Sequence, residues 1–324
     1  MISNYRRSLL ALAAAFVGAG ALHAAPLPVE FRVQATAGAA LAGATVEIVA
    51  ESGDAFTASG ATDAEGHWAV DLPDTRRPYR LKVTAAEHQP SEQSIDLKGQ
   101  RGSRSKPVGV TVELRPFTAE DYFNAGRERL FAKDLAKATV EFRKAVEKDP
   151  SLARGWSVLA MLEIESGQAA AALEHADRAL AVDPTEMQAL RTRYDALLAL
   201  RRAEEATKTL DELYQKDKSP DTGRLLFNAG AEAANGGDSA SARLRLGQAL
   251  ELEPKLWQAH TALAELAIRE QRLDDAVASL DQAIAISPRN FKAWERKIEV
   301  LRAMGKSAEA DAAAAQLAEL KGAS

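Results

Sequence analysis

A four-part phrase, small then bulky then small then proline, returns along this chain at offsets of four, three and five residues. It reads Ala138, Phe142, Ala145, Pro150 and then Ala172, Ala176, Ala179, Pro184. It returns as Ala242, Leu246, Ala249, Pro254 and as Ala276, Leu280, Ala283, Pro288. A weaker copy keeps Ala206, Leu210 and Leu213 and carries two extra residues in QKDKSPD, around Pro220. The prolines therefore fall at intervals of 34, 36, 34 and 34. Ahead of each phrase a large side chain holds one beat: Tyr122, Trp156, Leu190, Leu226, His260 and Trp294. Small residues follow four later, as Gly126, Ala160, Gly230 and Ala264, with Tyr194 the exception. A fixed period of this length means stacked supersecondary units rather than a closed globule. Within each unit the apolar spacing is helical over two stretches of about fourteen residues. Turns such as ESGQ, NGGD, REQR and AMGK separate them. Small residues let two antiparallel helices approach, and bulky ones fill the space to the next pair. Proline is expected to stop the second helix, because it lacks an amide proton and clashes with the preceding turn.

These residues resemble the tetratricopeptide repeat (TPR), whose 34-residue unit shows the same large-small, then Ala, aromatic, Ala, Pro pattern. Six units are read this way: 119–152, 153–186, 187–222, 223–256, 257–290 and 291–322. The resemblance implies a right-handed superhelix of helix pairs whose groove binds a peptide, a helix or a protein loop. It further implies that the first helix of each unit lines that groove. By register the lining positions are Phe123, Arg127, Arg154 and Met161, then Arg191 and Asp195. Arg224, Phe227 and Asn228 follow, and then Glu265, Arg269 and Lys292. Arginines from four successive units (127, 154, 191 and 224) suit a partner rich in carboxylates, or a C-terminal peptide segment. The bland reading is that they are solvated helix residues paired with neighbouring acids. The carboxylate clamp of some TPR domains needs Lys and Asn where this chain has Phe123, Arg127, Val158, Gln188 and Thr192, so its ligand is not expected.

Between Pro26 and Arg115 the period changes to two. Val29, Phe31 and Val33 alternate with polar residues; Val46 and Ile48, then Tyr79, Leu81 and Val83, then Val108, Val110 and Val112 do the same. Such alternation marks strands with one wet face, and about seven of them predict a β-sandwich. The phrases LAGATVEI, TDAEGHW and YRLKVTAAEH resemble the carboxypeptidase regulatory-like (transthyretin-like) domain over residues 26–115. The resemblance implies an accessory domain without catalytic residues of its own. Asp63 and Glu65 before Gly66 supply too few acids for a calcium loop and read as a turn. Lys98, Arg101, Arg104 and Lys106 crowd one loop, which either meets anionic headgroups or an acidic glycan, or is simply solvated.

At the N-terminus Arg6 and Arg7 precede an apolar run, residues 9–22, and then small residues at Ala24 and Ala25. That order predicts a signal peptide over residues 1–24, cleaved near Ala24, and hence a periplasmic or secreted protein. An uncleaved anchor is the alternative. The run is short for a membrane span, and no other stretch is long enough, so a soluble mature chain is expected. The charge of -5 argues against nucleic acid as a partner, and the absence of cysteine excludes disulfides and thiolate metal sites. Outside the leader only His67, His88, His175 and His260 remain, and no H-E-x-x-H, G-x-S-x-G or P-loop occurs. No catalytic residue, metal site or cofactor is expected. The sequence predicts a small all-β sandwich followed by an all-α solenoid, acting as a non-catalytic scaffold for a protein or peptide partner. Two rivals are an envelope-glycan binder working through the sandwich, by way of Trp68 or Tyr79, and an accessory subunit of a secreted enzyme.

Overall fold

The computed structural model describes residues 26–52 and 55–322, so the expected signal peptide lies outside the described residues. The chain divides into two compact units between Thr118 and Ala119.

Among its described residues the first unit has seven strands: β1 (Leu27–Ala35), β2 (Thr45–Ala50), β3 (Thr57–Ala61), β4 (His67–Leu72), β5 (Tyr79–Thr84), β6 (Ser91–Ile95) and β7 (Val108–Leu114). They form two sheets, ordered β4-β1-β7 and β3-β2-β5-β6, with β1 and β7 parallel and the other pairs antiparallel. The alternating residues behave as their period demands. Val29, Phe31 and Val33 from one sheet meet Val46, Ile48, Tyr79, Leu81 and Val83 from the other in a single buried core. Two strands carry weaker patterns: β6 reads SEQSI, and β4 starts at His67, inside a phrase that reads as a turn. The turn itself is shorter. Asp63 accepts from the amides of Glu65 and His67 at 3.1 and 2.7 Å, which fastens the hairpin and leaves that carboxylate occupied. Gly66 closes it at φ +82°, where an added Cβ would lie 2.5 Å from the Val33 carbonyl oxygen.

Among its described residues the second unit holds twelve helices in six pairs. The first helices are α1 (Ala119–Phe131), α3 (Ala153–Glu165), α5 (Met187–Ala199), α7 (Pro220–Asn235), α9 (Trp257–Arg269) and α11 (Phe291–Ala303). Their partners are α2 (Leu135–Lys148), α4 (Ala169–Val182), α6 (Ala203–Lys216), α8 (Ser239–Leu252), α10 (Leu273–Ile286) and α12 (Ser307–Gly322). The small residues do what close approach requires: a Cβ on Gly126 would sit 2.8 Å from the Phe142 ring, and one on Gly230 2.9 Å from Leu246. The phrase residues Ala138, Phe142, Ala145, Ala242, Leu246 and Ala249 are fully buried.

The proline rule needs one correction. Pro150, Pro184, Pro254 and Pro288 each stand two residues beyond the end of a second helix, but Pro220 is the first residue of α7. There it follows the N-cap Ser219, a position where a missing amide proton costs nothing. The two extra residues are absorbed as an early turn of α7, which runs 16 residues where α1, α3, α5, α9 and α11 run 13. The boundary expected at 222/223 therefore falls inside a helix. Lys218 occupies the place of the other prolines, and α6 still ends at Lys216.

Candidate functional site

The candidate site is the face formed by the first helices, which touch from unit to unit. Arg154 of α3 pairs with Glu120 of α1, Arg191 of α5 reaches Asp221 of α7 at 4.0 Å, and Arg269 of α9 donates to the Ala234 carbonyl of α7 at 2.7 Å. Arg296 of α11 makes a two-pronged pair with Glu265 of α9 at 2.9 and 3.0 Å. These side chains sit on one layer because positions three and four apart share a helix face, and the 34-residue period brings that face round to the same side in each unit.

Seen against this layer, the expected lining residues divide. Phe123 is buried, edge-on to Phe142 with ring centroids 5.3 Å apart, and the Arg154 guanidinium covers its other side at 4.5 Å. Phe227 and Met161 are half-buried, whereas Asn228 is exposed. Three of the four arginines already hold acids of the chain itself: Arg154 with Glu120, Arg191 with Asp217 at 2.5 Å, and Arg224 with Asp221. Arg127 and Lys292, in the first and last units, are exposed, and among the described residues neither has an ion pair. The carboxyl of Asp195 is raised by desolvation although its side chain is open to water. Both hold at once for a group standing on a recessed surface, with protein around it and solvent above. Beside it, burial and then the charges of Asp195 and Glu232 push the Tyr194 phenol up to about 12.

One row of residues on this face escapes a search for charge. Leu130, Ile164, Leu198, Ala234 and Ile268 lie three residues after Arg127, Met161, Asp195, Ala231 and Glu265, one in each of the first five units. Leu198 is exposed and the other four are half-buried. Phe131, at the end of the row, is 92% exposed. Their spacing of 34, 34, 36 and 34 keeps the 34-residue period and carries the same two-residue insertion, so the sequence carried the signal; it is weak because apolar residues in a helix default to core.

Two of the histidines, His175 and His260, sit within the helical unit. His175 Nδ1 lies 2.7 Å from Glu163 Oε2, and its ring stacks on Trp156 at 5.2 Å. His260 is a half-buried helical residue and His67 begins β4. Among the described residues no group of three His, Cys, Asp or Glu side chains is placed to hold a metal ion. Nor is any described helix long and apolar enough to cross a membrane. In the first unit Tyr79 is fully buried, its hydroxyl donating to the Asp74 carbonyl at 2.6 Å, and Trp68 stacks on Phe31 at 5.6 Å. Tyr79 is therefore closed to a sugar, and Trp68 is half-buried.

Comparison with known proteins adds the following. Residues 29–114 match the family model of the carboxypeptidase regulatory-like domain, and residues 257–323 that of the TT21 fifth ARM repeats domain. No curated protein matches the chain. Among solved structures, PilF of Pseudomonas aeruginosa is 24% identical with a TM-score of 0.46, covering 64% of this chain and 93% of that one. The C-terminal part of a TPR repeat-containing protein from Cytophaga hutchinsonii is 17% identical with a TM-score of 0.49, covering 56% and 73%. YrrB, a TPR protein with an unusual peptide-binding site, is 20% identical with a TM-score of 0.45, covering 55% and 91%. At these values the likenesses concern fold only. The TPR assignment rests on the chain's own six helix pairs and their period, and the N-terminal segment is a carboxypeptidase regulatory-like sandwich.

Proposed function

We propose that the protein is a non-catalytic scaffold of the periplasm or cell exterior, holding a protein or peptide along the first-helix face of its helical unit. The observation that supports this is the half-exposed apolar row Leu130, Ile164, Leu198, Ala234 and Ile268, one in each of the first five units. A surface that keeps apolar side chains partly in water in five successive units gains by covering them. The row suits an apolar stripe on the partner. Of the four arginines first considered, Arg127 is the one that takes a partner carboxylate without displacing one of the chain's own. Secretion is supported by the order of basic, apolar and small residues over 1–24.

The test is a crosslinking capture from envelope extract, comparing residues 25–324 with a double variant, Arg127→Glu and Leu198→Glu. Both side chains are exposed, so the fold tolerates the change. A defined partner held by the first and lost with the second supports the reading; an identical set of captured proteins removes it. Arg191 is unsuited to this experiment, because its reversal would strand Asp217 and disturb the joint before α7.

A further inference from the structure

The β unit has two unlike ends. One carries the β1–β2, β3–β4 and β5–β6 connections and the end of β7; these connections hold Asp63, Glu65 and Glu87 and no lysine or arginine. The other carries the start of β1 and the remaining three connections. It holds Arg76 and Arg77 between β4 and β5, and Lys98, Arg101, Arg104 and Lys106 between β6 and β7. Several acids stand there too, but most are taken up locally. Asp74 pairs with Arg76 at 3.0 Å and Arg77 at 3.5 Å, Asp71 meets Arg104 at 3.2 Å, and Asp96 accepts from the amide of Lys98 at 2.9 Å. Glu51 and Asp54 lie in the neighbouring connection. Lys98, Arg101 and Lys106 are exposed, and among the described residues none has a carboxylate partner.

The basic connection is built rather than loose. Leu97 is buried at its base, and Ser103 and Lys106 exchange backbone hydrogen bonds of 3.0 and 2.9 Å around a turn tipped by Arg104. Gly102 packs back against Val108, where a Cβ would come within 3.2 Å. The tip therefore presents its cations together. It offers little else: Leu97 is buried and Pro107 half-buried, so a partner would find no exposed apolar anchor of the kind protein interfaces use. A flat anionic surface needs no anchor, only cations brought within a Debye length of it.

We propose that this basic end is a site for the phosphates of anionic lipid headgroups and holds the sandwich against a membrane surface. The site is independent of the first-helix face. The test is cosedimentation of residues 25–324, the protein used for the capture, with vesicles of pure phosphatidylcholine, or of phosphatidylcholine and phosphatidylglycerol in equal parts. It is set beside the variant Lys98→Glu, Arg101→Glu, Lys106→Glu, whose fold is checked by its unfolding transition. Both proteins start after the apolar stretch, so the difference reports the loop. Expected is a preference for the anionic vesicles that fades with salt, and a loss of roughly a hundredfold in the variant. The Arg127→Glu and Leu198→Glu variant should bind vesicles like the parent. Equal binding by parent and loop variant, or no preference for phosphatidylglycerol, overturns the proposal. Soluble polyphosphate is the second arm: if the parent takes it up more tightly than vesicles, the source is a free phosphate polymer and the membrane assignment fails.

Discussion

Two joints between helix pairs use the same opening residue and then part company. At the joint between α2 and α3, Asp149 accepts from the amide and hydroxyl of Ser151 at 2.9 and 2.6 Å, Pro150 follows, and Trp156 donates its indole N–H to the Pro150 carbonyl at 2.9 Å. At the joint between α6 and α7, Asp217 likewise accepts from the amide and hydroxyl of Ser219, at 3.0 and 2.9 Å. There, however, no proline follows and Leu226 has no indole to donate. Instead Asp217 also receives Arg191 at 2.5 Å and Thr222 at 2.6 Å. Both helices end alike, with the amide of the capping aspartate donating to the carbonyl four residues back, Ala145 or Leu213. The difference teaches that the capping aspartate can hold a joint without the proline, as it does before α7; before α9 and α11 the proline stays and the cap is Glu253 or Ser287. Where the proline and tryptophan are missing, the aspartate gathers more partners.

The largest effect should follow from Asp217→Ala. It strands the half-buried Arg191 and removes the acceptor for Ser219 and Thr222, at a cost of about 2 kcal/mol in the unfolding free energy by urea titration. Partial solvent exposure keeps the figure from rising further. Asp149→Ala, which loses only Ser151, should cost less. Equal losses at the two sites would break the comparison.

Acid should separate the same two sites. Burial works against the charged form of Asp217, but the hydrogen bonds from Thr222, Arg191 and Ser219 outweigh it and hold its carboxyl at about 2, against 3.8 for a free side chain. A group depressed on folding contributes stability that is complete above the unfolded value and fades as pH falls through the folded one. Urea midpoints of the parent should therefore decline from about pH 4 towards pH 2, and those of Asp217→Asn should decline less. A variant that tracks the parent across that range would remove Asp217 as the cause. Asp149 is lowered as well, by the hydrogen bonds from Ser151, so part of the decline should survive in the variant.

Next in size is Trp156→Phe, which keeps the ring and loses the bond to the Pro150 carbonyl, for about 1 kcal/mol. Trp294→Phe should match it, because Trp294 donates to the Pro288 carbonyl at the same 2.9 Å. A loss at one position and none at the other would show that the two joints are not equivalent. The smallest effect is expected from restoring the missing proline. Asp217 has φ -121° and ψ 108°, an extended conformation that a following proline accepts, as Asp149 does at -137° and 94°. Lys218→Pro should change the melting free energy by less than about 1 kcal/mol, with a gain from the stiffened unfolded chain set against the loss of Lys218 over the Tyr214 ring. A strongly destabilised variant would mean that the third joint has settled into a geometry of its own.

Much of the fold could be read from local patterns. A period of two marked the strands whose inward residues form the sandwich core, and the 34-residue phrase marked the helix pairs, because burial on one face is a property each element shows alone. Elements with weak patterns were harder: β6 lies at a sheet edge with mostly exposed residues, and β4 was masked by the turn before it. The candidate site was legible only in outline. Register puts Arg154, Arg191 and Arg224 on first helices, yet the partners of Arg154 and Arg191, Glu120 and Asp217, come from other parts of the chain, while Asp221 lies three residues from Arg224 on the same helix. For Arg154 and Glu120 the separation is 34 residues.

The sequence by itself determined the number of units, their helical and strand periods and the small residues that let helices touch. Each of these follows from one-dimensional spacing acting through burial and steric contact. Only the tertiary structure decided that Pro220 opens a helix instead of ending one, that Phe123 is core, and that a ladder of arginines is mostly neutralised. Those outcomes depend on which side chains meet when units stack. A two-residue insertion shifts such meetings without erasing the period that announces the repeat.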